Sequence, residues 1–248
     1  MRKSVKLYFE HHVQDYASRH TDFYKDLSRF VKTETGFKKR PKILDIGCGD
    51  GGFVKALADA GINADYFLID LSYEMVRLAK QNLIDSDIKI FVSDILNLPL
   101  REELEFDLIH IDSVLHHLID TTQSKSNRLV NEVIKLLTRR LKSDGTLIID
   151  EWYFSSFIIS SFASFLIFYG LKLINYLRLD LSFIGEIRPG LEVNFLEPKK
   201  FLRLLSNYGC PELLFRKAVN FPMAYRLFLL REKGRITYIL RKNIKASI

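Results

Sequence analysis

Residues 43–53, Ile-Leu-Asp-Ile-Gly-Cys-Gly-Asp-Gly-Gly-Phe, constrain this chain more than any other segment. A buried-strand pattern from Lys42 to Ile46 runs into a loop carrying Gly47, Gly49, Gly51 and Gly52, and a helical pattern begins directly behind it. Glycines at such a bend admit positive φ and let a ligand approach the backbone closely. The N-terminus of the helix behind them offers amide groups and a favourable dipole to an anionic group. A strand–turn–helix crevice of this kind suits a nucleoside-bearing cofactor. The spacing is G-x-G-x-G, not the G-x-G-x-x-G of a dinucleotide site, and Asp45 lies inside the end of the strand.

The segment Asp45-Ile46-Gly47-Cys48-Gly49-Asp50-Gly51 resembles the first motif of the class I S-adenosylmethionine (SAM)-dependent methyltransferases, an acidic residue followed by G-x-G-x-G. The resemblance covers residues 40–152 well and 190–231 loosely. It implies SAM as the cofactor and methyl transfer as the reaction. It also implies an α/β fold: a Rossmann-like, seven-stranded, mostly parallel sheet with an antiparallel last strand, helices on both faces and a helical apolar cap.

The patterning along the chain has its own voice. Strands are predicted at 42–46, 64–70, 88–92, 106–112 and 145–150, and helices at 52–60, 73–83 and 126–142. Alternation at this spacing argues for a parallel sheet covered on both faces. Residues 5–35 carry Leu7, Val13, Tyr16, Phe23, Leu27, Phe30 and Val31 at helical spacing, and Pro41 marks entry to the first strand. Pro198 opens a helix over 198–208. Residues 212–219 and 224–231 read as late strands, which in the resembled family complete the sheet as an antiparallel pair. The expected organisation is a helical lid (1–40), a SAM-binding core (41–151), an apolar helical cap (152–190), and completion of the sheet with a basic tail (191–248).

The resemblance assigns cofactor-binding residues position by position. The glycine loop, Gly47, Cys48, Gly49 and Gly51, lines the cofactor. Asp70, with Leu71 beside it, ends the second strand, where a carboxylate accepts hydrogen bonds from vicinal ribose hydroxyls. The other use of Asp70 is to cap the helix over 73–83, but Ser72 is better placed for that. Asp94 and the backbone of Ile95 match the adenine position; the plain alternative is a loop Asp bonding its own backbone. Asp45 and Asp112 are the acidic candidates for the cofactor's ammonium group.

Methyl transfer is an in-line displacement, so the protein supplies position and, for a protonated acceptor, a base. After the fourth strand comes Ser113-Val114-Leu115-His116-His117-Leu118, similar to an L-H-H-L segment of small-molecule members of the family. An imidazole titrates near neutrality, so His116 and His117 are the catalytic candidates, with helix packing as the alternative. His11, His12, His20 and His110 are weaker candidates. Tyr16, Glu151, Trp152, Glu192 and Asn194 are substrate candidates by position; Glu151 can equally pair with Arg188. No N-P-P-F/Y sequence is present, which argues against an amide- or base-amino-directed enzyme. No compact His, Cys or carboxylate cluster calls for a metal.

Charge and hydropathy bear on the acceptor. Residues 1–42 hold eleven basic residues against five acidic, and residues 216–248 nine against one. A basic periphery attracts a polyanion or an anionic membrane surface, or simply solvates the protein. Two distant cysteines, Cys48 and Cys210, and no long apolar leader at the N-terminus point to a reducing, cytoplasmic setting. Residues 152–171 hold no charge. Ser156, Ser160 and Ser164 would share one helix face, and Ile158, Phe162, Phe165 and Tyr169 another. Three uses are open for this stretch: an interfacial or lipid-facing helix, a buried cap or homodimer contact, and a membrane span. The sequence therefore points to a small or lipid-like acceptor of quinone or isoprenoid type, methylated on oxygen or carbon. Peripheral membrane contact would run through 152–178 and the basic flanks. Two competitors stand beside it, an RNA- or protein-directed methyltransferase and a non-catalytic SAM-binding protein acting through its cap.

Overall fold

The computed structural model describes residues 8, 21–37, 39–83, 88–156, 161–179, 190–220 and 230–242. A single seven-stranded sheet organises them, in the order β3-β2-β1-β4-β5-β7-β6. The strands are β1 (Lys42–Ile46), β2 (Asp65–Asp70), β3 (Ile88–Val92), β4 (Phe106–Asp112), β5 (Leu141–Ser156), β6 (Cys210–Asn220) and β7 (Leu230–Arg241). The pairs β1–β2, β1–β4, β2–β3 and β4–β5 are parallel, and β7 runs antiparallel to both β5 and β6. From β1 the chain winds outward to β2 and β3, then returns to β4 on the other side. The reversal opens a crevice at the carboxyl ends of β1 and β4, where α/β sheets bind their ligands.

Strand alternation sorts the core into two layers. Leu44, Ile46, Ile109, Ile111 and Ile149 pack on one face with Val130, Ile134 and Leu137 of α4 (Gln123–Arg139) and with Phe201 and Leu205 of α6 (Pro198–Ser206). Ile43, Leu108, Ile148 and Ile239 pack on the other with Leu27 and Val31 of α1 (Thr21–Glu34) and Phe53, Val54 and Leu57 of α2 (Gly52–Asp59). Each fully buried aliphatic side chain of this kind contributes roughly 1.5–3 kcal/mol. Start signals are read locally. Ser72 caps α3 (Tyr73–Asn82) by accepting from the Met75 amide, Thr122 caps α4 through Lys125, and Glu197 caps α6 through Lys199 and Lys200. Ser72 is thus the cap of α3, as expected.

The seven-stranded, mostly parallel architecture matches the expectation, with four differences of detail. First, α4 begins three residues early because Thr122 caps it, and β5 begins at Leu141. The expected turn at 142–145 survives as a register jump, since Phe106 pairs with Leu141 but Leu108 pairs with Thr146. Second, β5 continues to Ser156, so Trp152–Ser156 belong to the sheet and not to a helical cap. They pair with β7 along their length, and Tyr153, Phe154 and Ser156 are buried there. Third, the late strand expected at 224–231 lies at Leu230–Arg241, and residues 221–229 lie outside the described residues. What read as a basic tail is a strand between β5 and β6, with Ile236, Tyr238 and Leu240 buried on one face and Thr237 and Ile239 on the other. Fourth, the serine face does not form. Ser156 is in β5, Ser160 lies outside the described residues, and buried Ser164 bonds Gln123 and the Phe195 carbonyl.

Among the described residues after β5, the expected cap holds one helix, α5 (Phe162–Tyr176). Ala163 and Phe168 face inward, while Phe165, Tyr169, Leu173 and Tyr176 are exposed. No helix among the described residues is long and apolar enough to cross a membrane.

Candidate active site

The glycine loop folds tightly over the end of β1. The amides of Gly47 and Cys48 both donate to the Ile69 carbonyl, at 2.8 and 3.2 Å. Gly47 sits at φ 73°, and a Cβ there would stand 2.4 Å from Val114 Cγ2 and 2.8 Å from the Asp112 carbonyl oxygen. Only glycine fits. Gly49 is different: at φ 53°, a Cβ there would meet nothing within 4 Å. Positive φ with open space above it leaves room for a ligand to approach the backbone here.

Asp70 stands at the rim of that cradle. Its Oδ2 accepts from the Gly49 amide at 3.0 Å and its Oδ1 from the Ser72 amide at 2.8 Å. Burial raises its pKa to about 6, against the stabilising pull of these two amides. Leu71 is half-buried beside it. Past β3, Asp94 Oδ1 accepts from the Leu96 amide at 3.0 Å, the self-bonded loop geometry weighed above, and the Ile95 side chain is in the core. Cys48 is buried, and burial pushes its thiol pKa up.

A buried charge ladder runs across the sheet below the crevice. His110 on β4 places Nδ1 at 2.7 Å from Asp45 Oδ1 on β1 and Nε2 at 3.0 Å from Asp150 Oδ2 on β5. Thr237 on β7 donates to the other Asp150 oxygen. Burial opposes a charge on His110, but the two carboxylates outweigh it and raise its pKa to about 10. The Phe53 ring lies on this imidazolium, centroids 3.9 Å apart. Burial raises the pKa of Asp45, against the pull of His110. Asp45 Oδ2 has no hydrogen-bond partner among the described residues.

Asp112, the other expected ammonium partner, is engaged by three side chains. Tyr24 of α1 donates to Oδ2, Ser113 Oγ donates to Oδ1 at 2.8 Å, and Arg235 Nη2 lies 2.7 Å from Oδ1. Burial, then Asp112, raises the Tyr24 pKa well above its ordinary value.

A second polar cluster forms where β4 ends. Glu151 Oε1 accepts from the Leu115 amide at 2.6 Å, and Oε2 lies 2.7 Å from His116 Nδ1. Facing a carboxylate, Nδ1 carries the proton and Nε2 is the basic nitrogen. His116 stacks on Phe195 at 5.3 Å and lies 4.0 Å from the His117 ring. Burial, and then His116, hold His117 well below its ordinary pKa, so it is neutral. Buried Asn194 donates its amide to the His116 carbonyl at 2.7 Å and its side chain to Asn127 at 2.8 Å. Glu192 pairs with Lys172 of α5 at 3.8 Å.

The structure thus gathers His116, His117, Glu151 and Asn194 in one place and Gly47, Cys48, Gly49, Gly51 and Asp70 in another. Trp152 is half-buried, opposite Arg235 in the β5–β7 register. Tyr16, His11, His12, His20 and Arg188 lie outside the described residues. Sequence reasoning missed Tyr24, Arg235 and the bridging role of His110. For His110 a signal existed, a lone polar residue amid Leu108, Ile109 and Ile111. Among the described residues no three His, Cys, Asp or Glu side chains are grouped to hold a metal.

Strand order, glycine cradle and the acidic residue at the end of β2 define an α/β protein built to hold a nucleoside cofactor at its switch point. The comparisons with known proteins name the family. A methyltransferase-domain family model matches residues 44–149. The chain is 31% identical over 112 residues to a tRNA (carboxymethyluridine(34)-5-O)-methyltransferase of Arabidopsis thaliana, covering 44% of this chain and 24% of that protein. It is 30% identical over 120 residues to a ubiquinone biosynthesis O-methyltransferase of Methylococcus capsulatus, covering 48% of this chain and 46% of that one. The chain therefore spans between a quarter and a half of these curated relatives. The fold also matches the crystal structure of the N-methyltransferase NodS of Bradyrhizobium japonicum in complex with S-adenosylhomocysteine. There the TM-score is 0.58 at 14% identity, with 97% of this chain and 99% of that chain covered. Residues 44–149 thus match a methyltransferase domain, on a fold shared with SAM-dependent methyltransferases and with SAM as its cofactor.

Proposed function

We propose that this protein transfers the methyl group of SAM to a small or lipid-like acceptor, of quinone or isoprenoid type, on oxygen or carbon. SAM would supply a sulfonium methyl for in-line transfer to the acceptor, with the thioether of S-adenosylhomocysteine as the leaving group. The chain's own residues do the rest. Gly49 opens the space for the cofactor, and Asp70, fixed by two amides, receives its ribose hydroxyls. His116, oriented by Glu151 as an Nδ1–H tautomer, takes a hydroxyl proton at Nε2. His117, neutral beside it, keeps charge out of the pocket wall.

The observation that carries the acceptor class is the placement of α5. Its exposed apolar residues follow directly after β5, the strand that supplies Glu151. One relative's ubiquinone pathway and this apolar approach support a lipid-like acceptor; another relative's tRNA substrate, with the basic flanks, supports the RNA-directed alternative.

The test is a methyl-labelling assay with radiolabelled SAM. The purified protein is offered a ring-hydroxylated isoprenoid quinone precursor, total tRNA and a protein fraction separately. Label entering the organic phase, and lost in His116→Asn, supports the proposal. Label entering tRNA or protein overturns the acceptor class. SAM binding without label in any fraction favours the non-catalytic alternative.

A further inference from the structure

Arg235 is the one long basic side chain of β7 drawn fully into the protein. It is 7% exposed, faces Asp112 through Nη2, and stacks its guanidinium 4.7 Å from the Phe23 ring centroid. Its Nε and Nη1 groups have no hydrogen-bond acceptor among the described residues. Buried N–H donors without a partner are destabilising, and more so on a charged group, so such a group points to a missing acceptor.

The position says whose acceptor it is. Asp112, Asp150 and Thr237 share the last row of the sheet in which β4 still takes part. Arg235 lies two residues further along β7, opposite Trp152, on the same face as Thr237. It therefore stands beyond the carboxyl end of β4. The cofactor cradle at Gly49 and Asp70 belongs to β1 and β2, on the far side of β4. The arginine is thus buried on the β5–β7 side of the end of β4.

We propose that Arg235 anchors a carboxylate on the methyl acceptor, an inference that rests on the methyltransferase reading above. A planar guanidinium donates to both oxygens of a carboxylate from adjacent nitrogens, which fixes orientation as well as position. Tyr24 and Phe23 hold the arginine in place from α1, through Asp112 and through the ring face. The acceptor thus combines an apolar body, running toward α5, with a charged head against Arg235.

The probes are octanoate and 1-octanol, matched in chain length and differing in charge, titrated calorimetrically into protein saturated with S-adenosylhomocysteine. Octanoate should bind about tenfold or more tighter than octanol. Arg235→Gln should abolish that preference and Arg235→Lys should keep part of it, while affinity for S-adenosylhomocysteine stays unchanged in both. Circular dichroism and thermal melting establish that each variant is folded. If the glutamine variant does not fold, the lysine variant decides, because it keeps the charge and loses the planar fork. Equal binding of the two probes, or a preference that survives substitution, overturns the inference. A tenfold loss of S-adenosylhomocysteine affinity in the variants also overturns it, assigning the arginine to the cofactor's own carboxylate. Failure of the wild-type protein to bind S-adenosylhomocysteine sinks the methyltransferase reading itself and is seen before any probe is added.

Discussion

Asp45 and His110 stand opposite each other in the β1–β4 register, and His110 Nδ1 lies 2.7 Å from Asp45 Oδ1. The strand that leads into the glycine loop is thereby tied to the strand that precedes the histidine pair. His110 also reaches Asp150 on β5, so one imidazolium spans three strands. Removing it leaves buried carboxylates facing each other without a cation, which costs about 3–5 kcal/mol.

The pH dependence of stability follows from the same residue. His110 has a folded pKa of about 10 against an ordinary value of 6.5. A raised folded pKa contributes stability that is complete below 6.5 and lost as pH climbs toward 10. Urea unfolding at pH 6, 8 and 10 should show falling stability in the wild type. His110→Gln should be less stable at pH 6 and lose less across that window. An equal loss in both proteins would separate His110 from the effect.

Asp70 predicts a pH dependence of opposite sense, in binding. Its pKa is about 6, and only the ionised carboxylate accepts two hydroxyl hydrogen bonds. Affinity for S-adenosylhomocysteine should be flat above neutrality and fall as pH drops through 6. Asp70→Ala should weaken binding by roughly tenfold or more and flatten the profile. Calorimetric titration between pH 5 and 8 reads both; a wild-type profile without a break, or a variant that binds normally, removes Asp70 from the site.

The two glycines of the loop should separate stability from binding. Gly49→Ala meets no neighbour within 4 Å, so its effect on folding is limited to the left-handed backbone, roughly 1–2 kcal/mol. The same methyl intrudes on the cofactor cradle, and S-adenosylhomocysteine affinity should collapse. Gly47→Ala drives a Cβ against the Asp112 carbonyl and Val114, so it should lose more stability than Gly49→Ala. Melting curves and titrations on the pair check this. Unchanged affinity in folded Gly49→Ala would place the cofactor elsewhere.

Much of this architecture was legible because its signals are local. Alternating apolar runs, the glycine spacing at 47, 49 and 51, and Ser72 ahead of a helix each announce themselves within a few residues. The position of β7 was not legible, since the late strand was expected at 224–231 and lies at Leu230–Arg241. Its Arg231, Glu232, Lys233 and Arg235 look like a solvated tail, and only pairing with β5 shows that Glu232 and Arg235 are buried. Tyr24 was hidden for the same reason, since its partner Asp112 is 88 positions away. Asn194 and Glu192 were found by position but as neighbours of a substrate; they bond His116 and Lys172, a difference that sequence spacing does not encode.

The exposed stripe on α5 bears on the acceptor. Phe165, Tyr169 and Leu173 follow one another every four residues and are 51, 38 and 57% exposed. They lie on one helix face, while Phe168 and Ala163 hold the helix to the protein. Replacing all three with glutamine removes side chains that are about half buried and, for Phe165 and Tyr169, in ring contact, so stability should fall by on the order of 1–3 kcal/mol with the fold retained. If the stripe guides a lipid-like acceptor, KM for an isoprenoid substrate should rise several-fold while kcat and S-adenosylhomocysteine affinity hold. Sedimentation run beside the kinetics distinguishes the competing use of this face. A change of mass on substitution, with KM unaltered, would make the stripe a contact between two copies of the chain. An unaltered mass with an unaltered KM would remove the stripe from both uses.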